Sequence, residues 1–153
     1  MVFSAYTVSS STMSYAPTIE YELSLARVLL VDDDPTARLT LKTVLEAGGY
    51  RVDAAASAAE AVQKLDEGEY QLVLSDLHME SPQAGLQVIA HAKMKDYKPA
   101  TALVQAYRPD GPAKIGSHLI APEDIEGLLA KVAEMIGLRA IHRVHREMRA
   151  AGV

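Results

Sequence analysis

The sequence predicts an α/β fold, a parallel sheet with helices on both faces, and three observations carry that prediction. Short aliphatic runs recur at Val28-Leu29-Leu30-Val31, Leu72-Val73-Leu74 and Thr101 to Ala106. Segments with helical spacing of apolar residues lie between them, the alternation that builds βαβ units. Two of the runs end on carboxylates, Asp32-Asp33-Asp34 after the first and Asp76 after the other. Open α/β sheets place their ligands at the carboxyl ends of inner strands, so these acidic tips are candidate functional groups.

Taken in order, Val28 to Val31 reads as a strand buried on both faces, because it is aliphatic throughout rather than alternating. Pro35 suits the first turn of a helix. That helix carries Leu39, Leu41, Val44 and Leu45 as its apolar positions and stops at Gly48-Gly49. Arg51 to Ala56 is a short second strand. Ser57 followed by Glu60 is a capping-box pattern, with Ala61, Val62 and Leu65 as the inner face of the helix it opens and Gly68 past its end. Tyr70 to Asp76 is the third strand, followed by a loop through Gly85. Leu86 to Lys95 is helical, with Leu86, Ile89, Ala90 and Met94 facing in. The fourth strand is Thr101 to Ala106, and His118-Leu119-Ile120 is a brief fifth.

Between Ala106 and Gly116 stand Pro109, Gly111 and Pro112, with Gly116 itself at the end. A regular helix is disfavoured by such a segment, so the fourth helix is expected to be missing or reduced to a turn. The last helix starts at Pro122, with Glu123 and Asp124 suited to its N-terminal dipole. Ile125, Leu128, Leu129, Val132 and Ile136 form its buried stripe, and Gly137 is a candidate stop. Beyond it Leu138, Ile141, Val144 and Met148 share one face of an amphipathic extension whose opposite face carries four arginines. Its apolar stripe is a candidate dimer or partner face.

Three parts are therefore expected: an N-terminal arm over 1–24, a folded domain over 25–136 and a helical extension over 137–153. The arm is rich in Ser, Thr and Tyr, and ordering it would bury little apolar surface in return. Phe3, Tyr6, Tyr15 and Tyr21 are its candidate docking residues. The chain has 153 residues, enough for a real core, and 49% of them are hydrophobic. Without cysteine, disulfides, zinc thiolate sites and thiol catalysis are excluded. A net charge of −5 argues against nonspecific nucleic-acid binding. No apolar run is long enough to span a bilayer, and no Lys or Arg precedes Arg27, so a signal peptide is not expected. A cytoplasmic protein without membrane attachment is the resulting expectation.

Right-handed crossovers place the first and third strands side by side, so Asp32, Asp33 and Asp76 are expected to converge. Clustered carboxylates without cysteine suit a hard, oxygen-seeking cation, and Mg²⁺ is the candidate. A cation held this way is a platform for phosphoryl transfer.

At this point the sequence resembles the receiver domain of two-component response regulators, over roughly residues 26 to 136. The residues that carry the resemblance are Val28 to Pro35 with Arg38, Leu72 to Met79, and Gly85-Leu86. It implies a flavodoxin-like, five-stranded parallel sheet in the order 2-1-3-4-5. It also implies that Asp76 accepts a phosphoryl group from a histidine kinase or phosphotransfer protein. Asp33 would hold Mg²⁺ directly, Asp32 through water, and the backbone carbonyl of His78 would complete the set. The chain departs from the family at its switch positions. Gln105 stands where the family has Thr or Ser, Ala121 where it has a Lys before Pro, and His118 at the switch aromatic. The loop from Asp76 to Gly85 is one residue longer than the family's, with Glu80 in place of its Pro. A cation positioned on a transferring phosphoryl group is worth about 3–4 kcal/mol by analogy with single oxyanion donors. Ala121 does not supply it, which leaves Arg108, Lys114 or His118 as substitutes. Gln105 donates from a longer, more flexible amide than a hydroxyl.

The resemblance therefore implies an atypical, non-enzymatic response regulator of a phosphorelay that signals through protein contacts. The extension is too short for a DNA-binding or enzymatic output domain. A homodimer through the C-terminal helix or through swapped elements is a further expectation. Two alternatives stand beside this. One is a phosphorylation-independent pseudo-receiver that only binds partners. The other reads Asp32-Asp33-Asp34-Pro35-Thr36 as the D-x-D-x-T motif of haloacid-dehalogenase-type phosphatases, with Asp32 as nucleophile and Asp34 as acid/base. Against the latter, the chain shows no dependable lysine, no late acidic pair and no room for a cap domain.

Overall fold

A computed structural model describes residues 26–77, 79–104, 118–120 and 125–152. The strands are β1 (Arg27–Val31), β2 (Arg51–Ala55), β3 (Leu72–Asp76), β4 (Ala100–Val104) and β5 (His118–Ile120). The helices are α1 (Pro35–Ala47), α2 (Ala58–Glu67), α3 (Ala84–Lys93) and α4 (Ile125–Ala150). All strand pairs are parallel, and the sheet runs β2-β1-β3-β4-β5. The expected order is therefore observed. The expectations for the N-terminal arm and for a reduced fourth helix fall on residues outside those described.

β1 shows why an unbroken aliphatic run is needed at the sheet centre. Alternate side chains leave a strand on opposite faces. Val28 and Leu30 enter one core with Leu41 and Leu45 of α1 and Leu128, Val132 and Met135 of α4. Leu29 and Val31 enter the other, with Ala61 and Leu65 of α2 and Val88 and Ala92 of α3. Each fully buried Val or Leu contributes about 1.5–3 kcal/mol relative to exposure, so both halves of this run anchor the sheet.

The ends of the helices follow their sequence signals. The Asp34 carboxylate accepts the Thr36 N–H at 3.1 Å and caps α1, with Pro35 in its first turn. Gly49 closes the same helix in the left-handed region (φ 100°), a conformation that lacks strain only without a β-carbon. Ser57 Oγ accepts the Glu60 N–H at 3.1 Å, and Glu60 Oε1 reaches back to the Ala56 N–H at 2.8 Å. This is the capping box displaced by one residue on its return arm.

Four expectations about facing require correction. Leu39 is 66% exposed, because it lies roughly 200° around α1 from buried Leu41. Leu86 and Ala90 are exposed, and Met94 is 78% exposed; the inner face of α3 is Gly85, Val88, Ile89 and Ala92. The helix also starts earlier than expected, at Ala84. Gly137 does not stop the last helix, which continues to Ala150. An exposed glycine inside a helix costs only about 1 kcal/mol against alanine. More than three turns of helix follow it, and Arg139 binds the carbonyls of Tyr97 (2.6 Å) and Lys98 (2.9 Å). Leu138, Ile141, Val144 and Met148 are exposed along the extension.

At the amino edge of the sheet Arg27 donates to Asp53 at 2.8 Å and lies 4.7 Å from the centre of the Tyr70 ring. The Tyr70 hydroxyl donates to the same carboxylate oxygen at 2.7 Å. Burial alone would raise the Asp53 pKa, but the bonds from Tyr70 and Arg27 outweigh it and hold the carboxyl below its usual range. A lowered folded-state pKa gives stability that is present above the unfolded pKa and lost as pH falls through the folded one. Tyr70→Phe is expected to cost about 1 kcal/mol at neutral pH by loss of the hydroxyl bond. It also makes the acid limb of the stability curve shallower; urea melts across an acid-to-neutral series test this, and an unchanged acid limb would refute it.

Candidate metal and phosphoacceptor site

β1 and β3 are neighbours, with Val31 level with Ser75, so the residues that follow each strand meet at one end of the sheet. Ligand oxygens of Asp32, Asp33 and Asp76 lie within 4.8 Å of one another. Asp32 is only 5% exposed, Asp76 is intermediate and Asp33 is exposed. The loop that carries the pair is clamped from several sides. The Asp32 N–H bonds to Ala55 O of β2 at 3.0 Å. Asp32 Oδ1 accepts the Asp34 N–H at 2.9 Å, and Arg38 Nη1 donates to the Asp32 carbonyl at 2.7 Å. Burial pushes the Asp32 carboxyl pKa up, the Asp34 N–H works against that, and the charges of Asp33 and Asp34 push it further up, while a bond with Asp76 lowers it.

The other side of the site is set by α3. A β-carbon on Gly85 would overlap the Asp76 carbonyl oxygen and stand 3.4 Å from Ser75 Oγ. Glycine is therefore what lets the start of α3 press against the end of β3. The Leu77 N–H bonds to Val104 O at 3.0 Å, carrying the backbone past Asp76 toward β4. Glu80 Oε2 accepts the Ala58 N–H at the start of α2 at 3.2 Å, joining this loop to a helix N-terminus. Met79 is buried in the core beneath.

The three carboxylates singled out in the sequence are thus brought together. Asp34 is not one of them; its carboxylate caps α1. Of the other expected site residues, His78, Gln105 and Ala121, and the side chain of His118, fall outside those described. Sequence reasoning gave no role to the Arg38 clamp or to the Glu80 bond. The only signals for them were a basic residue one turn into α1 and an acid in the phosphoacceptor loop.

A comparison with known families matches residues 28–114 to the response regulator receiver domain, more than half of the chain. The chain belongs to that family. As a receiver domain it is a module of two-component signalling. It is 36% identical over 98 residues to a gliding motility regulatory protein of Myxococcus xanthus, covering 64% of this chain and 11% of that protein. It is 40% identical over 52 residues to the sensor protein EvgS of Escherichia coli K12, covering 34% of this chain and 4% of that protein. The receiver thus spans only a small part of the curated relatives it matches. Among solved structures, the response regulator TrrA of Thermotoga maritima, in complex with Mg(2+)-BeF, is 28% identical with a TM-score of 0.63, over 72% of this chain and 99% of that one. A CheY-like receiver from Methanospirillum hungatei is 25% identical with a TM-score of 0.63, over 78% of this chain and 99% of that one.

The receiver's donor set fits Mg²⁺. Bonds of about 2.0–2.1 Å to the ion put neighbouring ligand oxygens about 3 Å apart and opposed ones about 4 Å apart. Separations within 4.8 Å need little closure to reach that. Three carboxylates, one of them buried and electrostatically opposed by two neighbours, also gain most from a shared cation.

Proposed function

We propose that Asp76 accepts a phosphoryl group from a histidine kinase or phosphotransfer protein, with Mg²⁺ held by Asp32, Asp33, Asp76 and the His78 carbonyl. The observation that carries this reading is the convergence of the three carboxylates at the ends of neighbouring strands. In the transfer, a carboxylate oxygen of Asp76 attacks phosphorus. The phosphorus–nitrogen bond to the donor imidazole breaks, and its electron pair leaves on that nitrogen. When bound, Mg²⁺ neutralises charge on the phosphoryl oxygens. Asp32, fixed by Asp34 and Arg38, keeps the site in register without moving during the reaction. TrrA, solved with Mg(2+)-BeF, supports the same pairing of ion and site here.

Ala121 and Gln105 set the character of this receiver. Without a lysine at the first, transfer is slower than in a receiver that has one. Without a small hydroxyl at the second, the phosphorylated state is read out through other contacts, with the exposed stripe of Leu138, Ile141, Val144 and Met148 as the face for a partner or a second copy.

The test is to incubate the full chain with Mg²⁺ and acetyl phosphate and measure its intact mass. A phosphoryl adduct is expected in the native chain and none in Asp76→Asn, with unchanged circular dichroism. An unmodified native chain, or an adduct that survives the substitution, would sink the proposal.

A further inference from the structure

At the opposite end of the sheet from Asp76, α4 and the α3–β4 connection enclose a groove of about 380 Å³. Lys93, Lys98, Arg139, His142 and Arg146 line it, and no carboxylate does. None of Lys93, Lys98, His142 and Arg146 is paired with an acid among the described residues. Met135, Leu138 and Pro99 give it apolar lining. This concentration of positive charge stands out in a chain of net charge −5.

The groove is also held in shape. Lys98 occupies the left-handed region (φ 48°), an unfavourable conformation for any side chain and more so directly before a proline. Its N–H bonds to Lys95 O at 3.1 Å, and its carbonyl accepts Arg139 Nε at 2.9 Å. Arg139 is thereby committed to the wall, while the cationic side chains of Lys93, Lys98 and Arg146, with the His142 imidazole beside them, remain available to a ligand.

We propose that this groove docks an acidic segment of a partner protein, seated by an apolar side chain against Met135 and Leu138. Charge complementarity selects an acidic ligand, and the apolar lining selects a peptide over a bare phosphate chain. A bilayer does not fit, because Ile141, Val144 and Met148 lie roughly 140–180° around the helix from Arg139 and Arg146, so one flat surface cannot engage both. The groove borders the start of β4 at Ala100, level with Leu72, and Asp76 ends β3 four residues on, about 13–14 Å away along the strands. A partner held here therefore leaves the carboxylate site open, and docking does not depend on phosphorylation.

Fluorescence anisotropy of the full chain against a short fluorescein-labelled peptide of glutamates interspersed with leucine tests this. Saturable binding is expected, weakened at least about tenfold in Lys98→Glu with Arg146→Glu and unchanged in Lys42→Glu. A peptide with lysine for glutamate is expected not to bind. No binding of the acidic peptide, equal binding by the charge-reversed chain, or tighter binding of a single-stranded oligonucleotide or anionic vesicles would each overturn the proposal.

Discussion

Gly85→Ala is expected to lower the stability of the chain by about 2–3 kcal/mol, the upper part of the range for overpacking a close-packed contact. A β-carbon at this position would fall on the Asp76 carbonyl oxygen, which is backbone and cannot swing aside as the end of a long side chain would. Relief requires α3 to lift from the end of β3, and Val88, Ile89 and Ala92 on the same face would lift with it. For a chain of this size the loss corresponds to a fall in Tm of about 5–10 °C. Because the displaced carbonyl belongs to Asp76, the carboxylate also shifts relative to Asp32 and Asp33, so Mg²⁺-dependent stabilisation falls with the melting temperature. Thermal melts with and without Mg²⁺ measure both effects. A variant that melts within a degree or so of the parent would show that the helix start yields freely.

The same contact explains what could and could not be read from the residues alone. The adjacency of β1 and β3, and with it the meeting of Asp32 with Asp76, was legible because it follows from rules of connection, aliphatic runs buried on both faces and right-handed crossovers, while the full strand order came with the family resemblance. The helix ends at Ser57 and Gly48-Gly49 were legible for a similar reason, each being decided within a few residues of itself, whereas the choice of Asp34 between cap and metal site was not. Nor was the phase of α3. Local spacing offers Leu86, Ile89, Ala90 and Met94 as a plausible face, and only the approach of Gly85 to β3 turns the helix so that Val88 and Ala92 point inward. Gly137 shows the same limit in reverse. As a stop signal it is sound locally, yet Arg139 ties the next turn to Tyr97 and Lys98, forty residues upstream in sequence. The Glu80 bond to the first turn of α2 likewise joins loops that no local pattern connects.

Asp32→Asn separates the energetic cost of the acidic site from its use. Asparagine keeps an oxygen to accept the Asp34 N–H and offers an amide to Asp76 in place of a like charge. In the native chain, burial and the charges of Asp33 and Asp34 hold the Asp32 pKa above its usual value. For a carboxyl raised in the folded state, the associated stability is full below the unfolded pKa and is lost as pH rises through the folded one. Without metal the native chain therefore carries the cost of an ionised, buried Asp32 at neutral pH, and Asp32→Asn is expected to be more stable there by about 1 kcal/mol. With metal the order reverses. A ligand present at a hundred times its Kd stabilises a folded chain by about 2.7 kcal/mol, and the native site gains that increment from Mg²⁺. With one of three carboxylates removed, Asp32→Asn should bind the ion at least about tenfold more weakly and lose half or more of the gain at the same concentration. Urea melts of both chains at neutral pH, with chelator and then with Mg²⁺, read the two effects independently. Equal Mg²⁺ stabilisation of the two chains would mean that the ion is held elsewhere. A variant less stable than the native chain in chelator would mean that Asp32 serves the fold as a structural hydrogen-bonding group rather than as a charge awaiting a cation.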